Sequence, residues 1–266
     1  MSLITDTLNA CKDANTKAVI PFLTANFPNR DLFNAMLHKL PEHGATIIEI
    51  GIPFSDPMAD GSTIQKTSEA AIAHGFRMDD CLVDIQTFKE AYPHIPIVIM
   101  TYANPIIQYG TQAWCTDAAN AGVSGLLAVD VPPESAEKLF PSSMPLDMIR
   151  LVTATTDMAR LPVIQDGAGG FIYYVSIKGV TGTAAPDPTI VADHLSMLRQ
   201  HIQLPVVIGF GISSPEIAAD MAQISDGVVI GSSLIRPFLD APESDYNQIM
   251  TEQLQYLQSI HTHIHA

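Results

Sequence analysis

The residues best suited to acid–base chemistry lie in and just after one apolar segment, TIIEIGI at 46–52. Glu49 interrupts this run, and strand alternation places it on the face of Ile47, opposite Ile48 and Ile50. Desolvation raises the pKa of a carboxyl in a buried strand, which suits a general acid or base. We therefore interpret Glu49 as a catalytic carboxylate, with a structural carboxylate paired to a cation as the alternative.

Two further acids, Asp56 and Asp60, lie in the next segment, PFSDPMADG at 53–61. The prolines and the glycine of this segment predict a loop. In loops, aspartate side chains commonly form turns by bonding to nearby backbone amides. From the residues alone, each aspartate therefore fits a turn as well as it fits a reaction.

Eight short apolar runs recur along the chain and alternate with segments of helical pattern. Their hydrophobicity is continuous, which is typical of strands buried on both faces of a parallel sheet. The pattern predicts an α/β fold, a (β/α)8 TIM barrel with residues 1–266 in a single domain, and a doubly wound open sheet is the alternative. The runs span 18–24, 46–52, 96–102, 125–131, 146–152, 170–176, 205–211 and 226–232.

Helix signals occur between the runs. The segment 62–75 begins with Ser62 and Gln65, which fit a capping box, and Gly75 fits a helix stop. Further helices are predicted at 213–224 and about 244–261.

Small residues follow the last two runs, where a barrel of this kind commonly binds phosphate. Glycine permits close approach to the backbone, and free amides at a helix start bind anions. We expect a phosphate site here, and tight turns without a ligand are the alternative. The residues concerned are Gly209, Gly211, Ser213, Gly231, Ser232 and Ser233.

Composition and charge exclude several classes of protein. The 13 basic and 28 acidic residues leave a net charge of −15, which argues against binding nucleic acid or an anionic membrane. Three widely spaced cysteines indicate reduced thiols, and hence a cytoplasmic protein. No secretory signal is visible, and no apolar stretch is long enough to span a bilayer.

The segment EIGIPFSDPMADGSTIQ at 49–65 closely resembles the signature of the tryptophan synthase alpha chain family. The resemblance continues along nearly the whole chain, in the order and spacing of the family. It covers PFLTA at 21–25, MTYANP at 100–105, VDVPP at 129–133, YYVS and GVTG within 173–182, GFGIS at 209–213 and IGSSL at 230–234.

The resemblance implies a lyase of L-tryptophan biosynthesis that cleaves indole-3-glycerol phosphate to indole and glyceraldehyde 3-phosphate by a retro-aldol reaction. Glu49 would move protons at indole carbon 3 and at the glycerol hydroxyl. Asp60 would hold the indole N–H and stabilise the positive charge that develops there. Tyr173 matches the active-site tyrosine of the family.

The resemblance also implies binding roles. Thr181 would contact Asp60 when the active-site loop closes over the substrate, and Gly182 would join the glycines and Ser232 around the phosphate. The positions that match the indole pocket are Phe22, Met100, Tyr102, Leu127 and Ile230.

Carbon–carbon cleavage needs an electron sink. The sequence has few lysines or histidines at positions suited to a Schiff base or to binding a divalent metal. Only Lys178 among the lysines closely follows a predicted strand, and no histidine lies at the carboxyl end of one. A metal site in HTHIH at 261–265 is disfavoured because a spacing of two does not cluster side chains on a helix. Protonated indole itself accepts the electrons, so we expect no metal and no cofactor in this chain.

Family members pair with a pyridoxal-phosphate beta chain, usually as an αββα heterotetramer, and pass indole to it. By resemblance, the PFSDP loop and the segment 100–108 would meet that partner. Ile177 stands where the family commonly carries an arginine. This difference motivates an alternative function, a regulatory subunit that binds a phosphate ligand and activates a beta chain with little turnover. A related phosphate-binding barrel with another substrate is a further alternative.

Overall fold

The computed structural model describes residues 2–141, 144–175, 188–209 and 211–266. In this part of the chain, nine parallel strands form one sheet in the order β5-β4-β3-β2-β1-β9-β8-β7-β6. The strands are β1 (Ala18–Thr24), β2 (Ile48–Gly51), β3 (Ile97–Thr101), β4 (Gly125–Ala128), β5 (Asp147–Met148), β6 (Arg150–Thr153), β7 (Ile172–Val175), β8 (Val206–Gly209) and β9 (Gly227–Ile230).

The two ends of this strand order are neighbours in the chain, so the sheet closes on itself. β5 pairs with β4 and β6 pairs with β7, and only Ile149 separates them. The Ile149 amide donates a hydrogen bond to the Leu126 oxygen, at 2.9 Å. The predicted TIM barrel is therefore confirmed, although the run 146–152 forms two short strands rather than one. The assignment of the chain to a single domain stays a prediction.

Helices surround the barrel and fill the connections between strands. They are α1 (Leu3–Asp13), α2 (Arg30–Lys39), α3 (Ser62–Ala73), α4 (Met78–Ala91), α5 (Ala103–Tyr109), α6 (Thr111–Asn120), α7 (Pro133–Leu139), α8 (Leu161–Gln165), α9 (Pro188–Leu198), α10 (Pro215–Ile224), α11 (Ser232–Ile235) and α12 (Tyr246–Ile264). No helix in the described ranges is long and apolar enough to cross a membrane.

Burial explains why the strand segments are apolar throughout. Every residue of β1, β2, β4, β8 and β9 is buried, because one face meets the barrel interior and the other meets the helices. Glu49 is the exception in residue type, since it is a carboxylate within a fully buried strand.

The start of α3 differs from the predicted capping box. Gly61 occupies the N-cap position, so Ser62 is the first helical residue and cannot cap the helix. The Gln65 side-chain amide instead donates a hydrogen bond to the Asp60 carbonyl, at 2.9 Å. The predicted stop is confirmed, because Gly75 follows the helix with φ +80°. This arrangement attaches the loop that carries Asp60 to the helix that follows it.

Candidate active site

A cavity of about 740 Å³ opens where the strands end. The lining of this cavity combines apolar side chains with glycines and serines. Its lining residues are Phe22, Ala59, Asp60, Gly61, Ser62, Thr63, Ile64, Met100, Leu127, Val129, Leu151, Tyr173, Val175, Gly211, Ile212, Ser213, Val229, Gly231, Ser232, Ser233 and Arg236. They come from strands and loops around the whole barrel, which is the arrangement expected of a ligand site in this fold.

Glu49 lies beneath this cavity in the middle of β2. It pairs with Phe22 on one side and Val98 on the other, and only 2% of its surface is exposed. Its Oε1 atom has no hydrogen-bond partner, and its carboxylate forms no ion pair, with any residue that the structure describes. The alternative of a structural ion pair is therefore not supported.

Burial raises the pKa of Glu49 from 4.5 to about 8, and the charge of Asp60 adds to this shift. Near neutral pH the group therefore holds a proton that it can release into an apolar site. A proton held close to the working pH is the property that acid–base catalysis needs.

Asp60 lies at the end of the loop after β2 and faces the same cavity. Burial raises its pKa from 3.8 to about 6, while a hydrogen bond with the Tyr102 hydroxyl opposes the shift. The Asp60 amide donates to the Pro57 oxygen at 3.0 Å, and the Ala59 amide donates to the Tyr102 hydroxyl at 2.9 Å. Tyr102 is thus buried beside the loop, supporting Asp60, and is not part of the cavity lining.

Asp56, in the same loop, has a different environment. It is exposed, and it accepts a hydrogen bond from the Ser55 hydroxyl at 2.6 Å. Of the two loop aspartates, only Asp60 lines the cavity, so the fold separates two residues that residue type alone left equivalent.

Tyr173 projects into the cavity from β7, where it pairs with Leu151 and Val207. Desolvation, followed by the charges of Glu49 and Asp60, raises the pKa of Tyr173 well above its usual value. The hydroxyl therefore stays protonated and can donate a hydrogen bond to a ligand.

Two glycines give the aromatic rings of the site their space. A Cβ added at Gly209 would overlap the Tyr173 ring, and one added at Gly51 would overlap the Phe22 ring. Gly209 therefore lies behind Tyr173 and is not part of the cavity lining. The resemblance had instead implied a position against the phosphate.

Phe22, Met100 and Leu127, three positions that match the indole pocket of the family, line the cavity. In β9, however, the lining residue is Val229, while Ile230 is fully buried and absent from the lining. Successive strand residues face opposite sides of the sheet, so Val229 faces the interior and Ile230 faces the helices.

Another part of the cavity lining comes from the loops after β8 and β9. The Ser233 hydroxyl donates to the Ile212 carbonyl at 3.1 Å and so joins the two loops. Gly211, Gly231 and Ser232 line the cavity there. Two other residues expected at this end, Thr181 and Gly182, lie outside the described residues, as do Ile177 and Lys178.

Sequence reasoning missed Arg236, whose side chain also lines the cavity. A signal was present, because Arg236 follows Ser232 by four residues, a spacing that puts two side chains on one helical face. Val229 was missed for a different reason, since the sequence does not show which face of a fully apolar strand points inward.

The histidine-rich tail lies far from this site in the chain. α12 continues through Ile264, and the rings of His261 and His265 are 4.3 Å apart. His265 Nε2 accepts a hydrogen bond from the Lys17 amide at 3.1 Å, which ties the end of the helix to the start of β1. Within the described ranges, no three histidine, cysteine, aspartate or glutamate side chains are grouped to hold a metal ion.

Comparison with known proteins decides the family. The sequence profile described as "Tryptophan synthase alpha chain" matches residues 8–264. The chain belongs to the tryptophan synthase alpha chain family. It is 44% identical to the tryptophan synthase alpha chain of Granulibacter bethesdensis over 237 residues, which cover 88% of this chain and 85% of that one. The alpha chain of Gluconacetobacter diazotrophicus is 45% identical over 247 residues, covering 92% of this chain and 90% of that one.

Solved structures agree with the sequence relatives. The tryptophan synthase alpha subunit of Legionella pneumophila str. Paris superposes with a TM-score of 0.90 at 33% identity, covering 100% of this chain and 99% of that one. A chain of tryptophan synthase from M. tuberculosis gives a TM-score of 0.86 at 28% identity, with 99% of each chain covered. As a tryptophan synthase alpha chain, the protein is a lyase that cleaves indole-3-glycerol phosphate, and its family works with a beta chain that carries pyridoxal phosphate.

Proposed function

We propose that Glu49 and Asp60 carry out this retro-aldol cleavage, with Tyr173 as a hydrogen-bond donor to the bound substrate. The observation that carries the proposal is the buried Glu49 carboxyl, whose pKa is raised to about 8 beneath a largely apolar cavity. A second carboxyl, Asp60, lines that cavity and stays more acidic, with a pKa of about 6. Two acids with separated pKa values can hold opposite protonation states at one pH.

The proposed cleavage uses two proton transfers through Glu49. Glu49 donates its proton to indole carbon 3. Asp60 accepts a hydrogen bond from the indole N–H and stabilises the positive charge on the ring. The bond between carbon 3 and the glycerol chain then breaks, and its electron pair returns to the ring. Glu49 takes the proton of the adjacent hydroxyl, so indole and glyceraldehyde 3-phosphate leave and Glu49 is protonated again.

We place the indole ring against Phe22, Met100 and Leu127, and the phosphate against Gly211, Gly231 and Ser232. All six line the cavity. For Tyr102 we propose a supporting role, because its hydroxyl accepts the Ala59 amide beside Asp60. Thr181 and Gly182 keep their proposed roles by resemblance, whereas for Gly209 we propose that it makes room for the Tyr173 ring.

We further propose that the chain needs no metal or cofactor of its own, since protonated indole is the electron sink. The assembly we propose is an αββα heterotetramer in the cytoplasm, in which the alpha chain meets its partner through the PFSDP loop and the segment 100–108. Exposed apolar side chains support that surface, since Met58, which directly follows the PFSDP loop, is 82% exposed and Ile107 is 50% exposed. The three unpaired cysteines support a reducing compartment.

An assay of the purified chain with its beta chain tests the function. Indole-3-glycerol phosphate is supplied, and we expect equal amounts of indole and glyceraldehyde 3-phosphate, with faster release when the beta chain is present. Activation of the beta chain without these products would instead support a regulatory subunit. Another product from another phosphate ester would support a different barrel enzyme.

The pH dependence of kcat/KM is expected to be bell-shaped. Activity rises as Asp60 ionises near pH 6, because a neutral acid cannot stabilise the cationic ring. It falls as Glu49 loses its proton near pH 8, because carbon 3 is then no longer protonated. The two groups interact, so the two limbs of the profile give pKa values of the coupled pair rather than of each residue alone. A rate that is flat from pH 5 to pH 9, measured with the beta chain in excess, would contradict these assignments.

A further inference from the structure

The lining of the active-site cavity contains two charged side chains among the residues that the structure describes, Asp60 and Arg236. Arg236 is exposed and lies just after α11, four residues beyond Ser232. It is therefore on the same side of the cavity as the loops of Gly211 and Gly231. The Glu49 carboxyl lies beneath the lining rather than in it, so the lining residues of the described ranges supply one carboxylate, Asp60, and one cation, Arg236.

Arg236 also differs from the other exposed arginines in its partners. Four arginines form ion pairs with carboxylates, at distances from 2.8 to 3.5 Å: Arg30, Arg77, Arg160 and Arg199. Arg236 has no such partner anywhere in the described parts of the chain, although acidic residues outnumber basic ones by 28 to 13. Arg236 therefore lines the cavity without a carboxylate partner in the described ranges.

A phosphate monoester brings close to two negative charges into a cavity that already holds acidic groups. Backbone amides supply only partial charges, whereas a guanidinium supplies a full charge and a planar pair of donors that match phosphate oxygens. We propose that Arg236 binds the phosphate of the substrate and determines the preference for phosphorylated over unphosphorylated indole-glycerol. This inference rests on the proposed phosphate position and adds to it the residue that compensates the charge.

The test compares the wild type with Arg236→Gln and Arg236→Lys, all with the beta chain present. The substrates are indole-3-glycerol phosphate and the unphosphorylated indole-3-glycerol. We expect Arg236→Gln to raise KM for the phosphate ester about ten- to a hundredfold, with a much smaller change in kcat, because a hydrogen bond to a charged group is lost. The kcat/KM for indole-3-glycerol stays within about twofold, since this substrate has no phosphate. Arg236→Lys recovers part of the lost affinity for the phosphate ester, because lysine keeps the positive charge but lacks the planar pair of guanidinium donors.

The matched control is Arg77→Gln, which removes an exposed arginine that does not line the cavity. This variant should have the wild-type KM and kcat for both substrates. An unchanged KM in Arg236→Gln, or an equal loss with both substrates, overturns the inference.

A binding measurement separates this inference from the proposed function. Calorimetry with glyceraldehyde 3-phosphate requires no turnover, and weaker binding by Arg236→Gln than by the wild type and Arg77→Gln supports the inference even if no cleavage is observed. Equal binding by all three proteins, or no binding by the wild type, overturns it. Cleavage by the wild type combined with equal binding would support the proposed function and reject the role of Arg236.

Discussion

Replacing Glu49 by glutamine lowers kcat for indole formation by about a hundred- to ten-thousandfold, the usual contribution of a general acid or base. Glutamine has nearly the same shape as the protonated carboxyl but cannot give or take the proton. The measurement is the rate of indole release at saturating indole-3-glycerol phosphate with the beta chain present. Wild-type rates from this variant would remove Glu49 from the mechanism.

The same variant has a second expected effect, on stability, which distinguishes loss of chemistry from loss of fold. The folded protein keeps a proton on Glu49 between pH 4.5 and about 8, whereas the unfolded chain has released it. The contribution of Glu49 to the free energy of unfolding therefore falls as pH rises through this window, by at most about 1.4 kcal/mol for each pH unit. Glu49→Gln removes this decline, so at pH 8 we expect it to be more stable than the wild type in urea unfolding. Equal stability of the two proteins at pH 5 and pH 8 would show that the Glu49 carboxyl is not desolvated.

Replacing Asp60 by asparagine lowers kcat by about a hundred- to a thousandfold, comparable to the loss of one group that stabilises charge in a transition state. Asparagine can still accept the indole N–H through its carbonyl, but it carries no negative charge to balance the cationic ring. The acid limb of the pH profile near 6 disappears, because the group that titrates there is gone. The alkaline limb moves below pH 8, because the Asp60 charge helps to raise the pKa of Glu49.

Asp56→Asn is the matched control, since it makes the same chemical change in the same loop at an exposed residue outside the cavity. Assayed without the beta chain, which the PFSDP loop is proposed to contact, it should retain the wild-type kcat and the wild-type pH profile. Equal losses from the two substitutions would indicate that loop conformation, rather than the charge of Asp60, controls the rate.

Local residue patterns predict the elements of this barrel well because they are set by short-range physics. β1 matches its apolar run of 18–24 residue for residue, since a strand buried on both faces must be apolar throughout. The end of α3 follows from Gly75, whose φ of +80° is one that glycine adopts without strain. The capping box failed at Ser62 because the same residue types fit more than one position at a helix start.

The sequence by itself determined the barrel and the family, and through the resemblance it singled out Glu49 and Asp60 as the proposed catalytic acids. These conclusions rest on apolar runs, on loop-forming residues and on the long segment around Glu49. Each of these patterns is formed by residues close together in the chain. Only the tertiary structure decided which of Asp56 and Asp60 faces the cavity and that Val229 rather than Ile230 lines it. It also showed that Arg236 reaches the cavity without an ion pair to any residue in the described parts of the chain. The raised pKa of Glu49 likewise needs the surrounding barrel and the approach of Asp60. These features arise between segments that are distant in sequence, through strand register and desolvation, and no local pattern carries that information.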